Sequence, residues 1–390
     1  MAVYLDHAAT SPIRAEVLEV YLEALKGVGN PSSVHSFGQR ARQKLEEARE
    51  SLAKSVDCHR SEVIFTAGGT ESDNSAIIGL FWARNAGNAA RRLVVTAGTE
   101  HHAVIETIEW LEQTQGAEGI FVPVNSEGQL DLAWLQSFVA ENHQEIALIS
   151  LMWANNETGV IFPIPEVVAL AKPHGIPVHS DAVAAFGQIP LSFKDSGLTA
   201  MSITGHKIGA PVGVGALIAS REAKISPTSH GGGQERGIRS GTLSPALAIA
   251  FAKAAEVAIA ELPIKSSAVA AMRDRLVAGV SQIAPDAVFS RGSEPGLPGT
   301  AHFTFPGCSG DSLLFVLDMN DVSVSNGSAC RAGVAQASHV LLAMGRSRAD
   351  AASALRISMN CTTTDADVDA FLALLPQAYE SAKAAGIPSI

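Results

Sequence analysis

Short apolar runs alternate with stretches whose apolar residues recur every three or four positions. Glu62-Val63-Ile64-Phe65-Thr66 reads as a strand, and Glu71 to Trp82 as the helix after it. Arg92 to Thr96, Gly119 to Pro123, Ile146 to Leu151 and Pro177 to Ser180 read as further strands. Helices are expected over Ala103 to Gln113, from Asp131 onward, and over Pro165 to Ala171. This alternation predicts a sheet with crossover helices on both faces. Past Ala200 the pattern changes. Met201 to Thr204 and Gly215 to Ile218 are short strands across a Gly-rich turn, which predicts an antiparallel pair in an otherwise parallel sheet. A long helix is expected from Ser244 to Glu261, with Pro263 as a boundary and a second α+β unit over Lys265 to Ile390.

The chain has 390 residues, which suits two domains at about 100–200 residues each. With 47% hydrophobic and 17% charged residues it can bury a large core. Lys and Arg number 28 against 39 Asp and Glu, a net charge of −11. That balance argues against general nucleic-acid binding and against an anionic membrane surface. No apolar run approaches the roughly 18 residues needed to span a bilayer. Met1 to Asp6 does not read as a signal peptide. The four cysteines, Cys58, Cys308, Cys330 and Cys361, are widely spaced. Free thiols in a reducing, cytoplasmic setting are expected, with no metal site.

Five segments carry candidate chemistry. Thr66-Ala67-Gly68-Gly69-Thr70-Glu71-Ser72-Asp73-Asn74 joins a strand to a helix, where free amides can hold a phosphate. Capping of that helix by Thr70 or Ser72 is the plainer reading. Asp181 ends the strand of His179 and Ser180, where a side chain faces the ligand crevice. Lys207 ends Ser202-Ile203-Thr204-Gly205-His206-Lys207, and burial there would make it a nucleophilic amine. The Gly-rich run from His230 to Thr242 carries Arg236 and Arg239, which suggests anion contact. Cys330 lies in a run of small residues expected to be mobile and accessible, beside Arg331, which favours its thiolate.

In this order the segments resemble the cysteine desulfurases, class V aminotransferase-like enzymes of fold type I that use pyridoxal 5'-phosphate. The resemblance covers essentially the whole chain. It includes Tyr4 to Thr10, Asn30 to His35, Thr99 to Val104, Asn155 to Gly159 and Leu355 to Ser358. The run around Cys330 is similar to that of the housekeeping type serving iron–sulfur assembly. The resemblance implies a large cofactor-binding domain over 15–262, with a mostly parallel seven-stranded sheet. It implies a smaller α+β domain formed by 1–14 and 263–390, carrying the mobile cysteine loop.

The resemblance also implies the roles. Lys207 is the Schiff-base lysine, Asp181 partners the pyridinium nitrogen, and His101 stacks on the ring and moves protons. Gly69, Thr70, Thr204 and His206 bind the phosphate, and Thr242 reaches the phosphate of a neighbouring subunit, hence a homodimer. Asn156 contacts the ring's phenolic oxygen and the substrate, and Arg356 binds the substrate carboxylate as a bidentate pair. Cys330 takes the sulfur of L-cysteine as a persulfide, with release of L-alanine. It passes that sulfur to an acceptor protein for iron–sulfur assembly or transfer-RNA thiolation, with transient iron–sulfur ligation by Cys330 as a further implied role. No membrane and no direct nucleic-acid partner are expected.

Two positions depart from the family pattern. Ala184 stands where a glutamine commonly contacts the phenolic oxygen, with Gln188 four residues on, and Cys361 follows Met359-Asn360 where a glycine is common. Cys361 reads as a structural cysteine. A selenocysteine lyase or another class V reaction is the alternative enzyme, although transamination needs no mobile thiol. A non-catalytic sulfur-transfer scaffold is the alternative of another class, and Ala184 is its only motive.

Overall fold

The computed structural model describes residues 2–327 and 337–386. A seven-stranded sheet has the spatial order Val63–Thr66, Gly215–Ala219, Ala200–Thr204, Val178–Asp181, Ile146–Ser150, Leu93–Ala97, Glu118–Val122. Gly215–Ala219 runs antiparallel to both neighbours, and the other pairings are parallel. Alternate residues of each strand face opposite sides. Val63, Phe65, Val95, Ile149, Met201 and Ile203 join one core, whereas Ile64, Val94, Leu148 and Ala200 join the core on the other face. Helices therefore cover both faces, as the unbroken apolar runs predict.

A second core gathers Val3 and Leu5 with residues from Val269 to Ala382. Its strands Ala354–Ser358, Thr300–Thr304 and Val288–Phe289 are antiparallel. Helices Gly310–Asp318 and Asp365–Ala385 pack against them.

Pro263 does not end the long helix, contrary to expectation. The helix runs unbroken over Pro245–Ile283, capped by Ser244, whose side chain accepts from the Leu247 amide at 3.3 Å. Pro263 removes one backbone donor, but it and Ile264 are exposed, so water can satisfy the carbonyl left without a partner. The first half of the helix buries a row of alanines from Ala248 to Ala258 in the first core, and the second half sends Val269, Leu276 and Val280 into the second. One continuous helix thus joins the core on one face of the large sheet to the core of the second unit.

Register sets the site. Thr66 and Thr204 both pair with Gly215, and Asp181 pairs with Ser202. Three strands therefore end at one edge of the sheet, and the Gly69, Asp181 and Lys207 segments all leave from it. Among the described residues no helix is long and apolar enough to cross a membrane.

Candidate active site

A cavity of about 330 Å³ opens at this edge. Gly69, Thr70, His101, Asn156, Asp181, His206, Lys207 and Arg356 all line it. Lys207 sits in the single turn His206–Ile208 after Ala200–Thr204. Burial lowers its amine from 10.5 to about 8, against the opposing pull of Asp181. Burial, then Lys207, pushes His206 down to about 4.

His101 caps the helix His102–Gln115, its Nδ1 accepting from the Ala103 amide at 3.1 Å. Burial lowers its basicity further. The neutral ring therefore carries its proton on Nε2. Asp181 Oδ1 accepts from the Val183 amide at 2.8 Å, which fixes the carboxylate. Arg356 arrives from the second core. Its Nη1 donates to the Asn156 carbonyl at 2.9 Å and its Nη2 to Asp6 Oδ1 at 2.8 Å, while Nε has no partner among the described residues. Each terminal nitrogen keeps one further N–H.

The helix Gly69–Asn85 starts at Gly68 with no side-chain cap. Capping by Thr70 or Ser72 is thus not what occurs: Ser72 Oγ turns inward to the Gly68 carbonyl at 3.1 Å, and Thr70 stays exposed. The first-turn amides are left for an anion. A Cβ on Gly69 would come within 2.6 Å of Val183 Cγ2, so the close approach at the mouth of the cavity requires glycine.

Two expected residues stand apart. Thr204 does not line the cavity, and its buried hydroxyl has no partner behind the Gly68 turn. Thr242 lines a separate cavity of about 160 Å³ with Thr66 and Arg239. Within the Gly-rich run the charged side chains meet groups of this chain. Glu235 forms a paired contact with Arg49 at 2.7 and 2.8 Å, and Arg239 Nε donates to Glu71 at 2.8 Å. Arg236 donates to the carbonyls of Ala219 and Ser220. Gln188 does not line this cavity but lines a neighbouring one together with Ala184, Asn156 and Lys207. Cys330 and Arg331 lie outside the described residues.

Sequence reasoning gave no role to Asp73, Glu157 or His339, which also line the cavity. For Asp73 the signal was available: it lies four residues after Gly69, on the same helix face. His339 comes from a distant segment and carried none.

The donor set suits pyridoxal phosphate. Uncapped amides and Thr70 face one part of the cavity, and Asp181, Lys207 and Arg356 face the rest. Among the described residues the buried Asn156 Oδ1 has no partner, so the wall holds an unmet polar atom.

A model of the family described as Aminotransferase class-V matches residues 3–371. The chain is 48% identical over 385 residues to an IscS-like cysteine desulfurase of Mycobacterium tuberculosis (strain ATCC 25618 / H37Rv), covering 98% of each chain. It matches a solved NifS-like protein with a TM-score of 0.89 and 34% identity, covering 97% of this chain and 99% of that one. It also matches a solved structure of SspA in complex with cysteine, with a TM-score of 0.80 and 29% identity, covering 93% and 100%.

Proposed function

Because the chain belongs to the class-V aminotransferase family, and within it to the pyridoxal-phosphate-dependent cysteine desulfurases, we propose that Lys207 is its cofactor lysine and Cys330 its sulfur acceptor. The observation that carries this reading is the convergence of Lys207, His101, Asp181 and Arg356 on one cavity. When bound, pyridoxal phosphate supplies an electron sink that weakens bonds at the substrate's α-carbon.

The protein's own groups do the rest. Burial keeps about a tenth of Lys207 as neutral amine at pH 7 and about half at pH 8, ready to bond to a carbonyl carbon. Asp181 sets a fixed negative charge for the cofactor's ring nitrogen. The Gly69 and Thr70 amides, the Thr70 hydroxyl and His206 hold the phosphate, with Thr204 behind them. Thr242 serves the phosphate of the second subunit in a homodimer. His101, with its proton at Nε2, would stack on the cofactor's ring and move protons. Asn156 meets the phenolic oxygen and the substrate, and Arg356 uses its spare N–H groups for the substrate carboxylate.

In the net reaction L-cysteine and the Cys330 thiol become L-alanine and a Cys330 persulfide. An S–S bond forms, the substrate's C–S bond breaks, and a proton takes the place of sulfur on carbon. The sulfur then passes to an acceptor protein for iron–sulfur assembly or transfer-RNA thiolation. A cytoplasmic setting belongs to this reading, and the free thiols of Cys58, Cys308 and Cys361 support it.

Borohydride reduction followed by peptide mass spectrometry tests the assignment. The cofactor is expected on the Lys207 peptide, and Lys207→Ala is expected to carry none and to form no alanine. Normal turnover by Lys207→Ala would overturn it.

A further inference from the structure

The turn that presents Lys207 is held from outside by the N-terminal segment. The Ser11 amide donates to the His206 carbonyl at 2.9 Å and the Arg14 amide to the Gly209 carbonyl at 3.1 Å. Arg14 Nε donates to the Ile208 carbonyl at 3.1 Å, one residue past Lys207. Gly209 has φ +86°, and a Cβ there would lie 2.7 Å from Arg14 Cγ, so the arginine stem packs directly on the turn.

The same guanidinium reaches away from the turn. Nη1 donates to Glu261 at 2.7 Å and Nη2 to Cys361 Sγ at 3.3 Å. Glu261 also accepts from the Cys361 thiol at 3.0 Å and from Lys265 Nζ at 2.5 Å. Burial opposes charge on Glu261, but these bonds outweigh it and hold the carboxyl at about 2. Burial, then Glu261, raises the Cys361 thiol, so it stays a neutral donor within the cluster. Glu261 and Lys265 flank Pro263 in the long helix, and Cys361 follows the strand that carries Arg356. All four side chains and Lys207 line one cavity of about 410 Å³, separate from the one described above.

We propose that Arg14 is a positioning residue for Lys207. It fixes the turn through the Ile208 carbonyl, and Glu261 and Cys361 fix Arg14 in turn, which couples the Lys207 backbone to the C-terminal unit. A guanidinium can do this because its donors lie in a rigid plane and serve three acceptors at once. The proposal rests on the reading that Lys207 holds the cofactor.

The test compares Arg14→Ala with Lys265→Ala in the cofactor-loaded enzyme. Lys265→Ala removes one arm of the cluster and leaves the Arg14–Ile208 bond. Three readouts are taken: cofactor affinity by dialysis, visible circular dichroism of the bound cofactor, and the urea midpoint. Arg14→Ala is expected to weaken affinity about tenfold and to change the visible dichroism, while Lys265→Ala changes neither. Unchanged affinity and dichroism in Arg14→Ala overturn the proposal, as do equal changes in both variants, which would mean a general scaffold. Should Arg14→Ala not fold, Arg14→Gln keeps the stem on Gly209 without the guanidinium and is read the same way. Absence of borohydride-fixed cofactor on Lys207 in the wild type would instead remove the underlying reading.

Discussion

Asp73 Oδ1 lies 3.6 Å from Nε2 of His179 and has no hydrogen-bond partner among the described residues. The imidazole is committed elsewhere, Nδ1 to Ser150 Oγ at 2.9 Å and Nε2 to Ser202 Oγ at 3.0 Å. Burial pushes His179 down to about 3, so it is neutral at pH 7 and offers no counter-charge. Burial first, and then the charge of Asp181, hold the Asp73 carboxyl well above the usual carboxylate range. A carboxyl whose protonated form burial favours therefore stands on the cavity wall near Asp181.

That arrangement makes stability depend on pH. In the unfolded chain Asp73 titrates near 3.8. Above that value the unfolded chain has lost a proton that the folded chain keeps. Stability from this group thus falls as pH rises, by up to about 1.4 kcal/mol per unit, until the folded carboxyl ionises. Asp73→Asn mimics the neutral acid and removes this loss. Urea midpoints of cofactor-free protein at about pH 5 and about pH 8 check it. The wild type should drop more than the variant, and equal drops would mean that Asp73 ionises freely.

Lys207 gives a second pH dependence. Burial holds its amine at about 8 rather than 10.5, and only the neutral form attacks a carbonyl. The rate of covalent cofactor capture by cofactor-free protein should climb about tenfold per pH unit below about 8 and flatten above it. Stopped-flow absorbance measures this. A rise that continues toward 10.5 would mean that the amine is solvated.

Ala184 lines the cavity beside Asn156 and brings no donor. A glutamine there would add a hydrogen bond to a charged oxygen, worth roughly 1.5–3 kcal/mol before any replacing water is counted. Ala184→Gln is expected to tighten cofactor binding about ten- to a hundredfold at most and to lower the pH midpoint of its visible absorption. Dialysis and a spectral titration of both proteins check this. An unchanged or raised midpoint would mean that another group already fills the donor role.

Cys330→Ser should separate the two halves of the chemistry. The variant is expected to keep its cofactor and bind L-cysteine but to release no sulfide. Sulfide and bound cofactor are measured on one sample. Release at the wild-type rate would move the acceptor role to another thiol, and Cys361 is the first to test.

The sheet was legible because each strand is a short apolar run bounded by a turn, and the antiparallel pair because Met201 to Thr204 and Gly215 to Ile218 are so close in sequence. Pro263 misled because its cost depends on exposure, which the sequence does not state. In the site, Lys207 and Asp181 stood out because strand ends face the crevice. The intrachain partners of Arg236 and Arg239 were not legible because a Gly-rich run with arginines says nothing of which groups lie across from it. Arg239 meets the Glu71 carboxylate and Arg236 the carbonyls of Ala219 and Ser220, and only the folded chain brings them together. The Arg14–Glu261–Cys361 cluster joins three distant segments, and no local pattern marks it.

The central claim is that sulfur leaves L-cysteine onto one thiol of this chain while alanine is formed. Intact-protein and peptide mass spectrometry after a single addition of L-cysteine, with alanine measured in parallel, tests it most directly. The account predicts one added sulfur atom on the Cys330 peptide, removable by a reducing agent, and alanine in matching amount. Alanine formed with no sulfur on Cys330, or no alanine at all from cofactor-loaded protein, would contradict it.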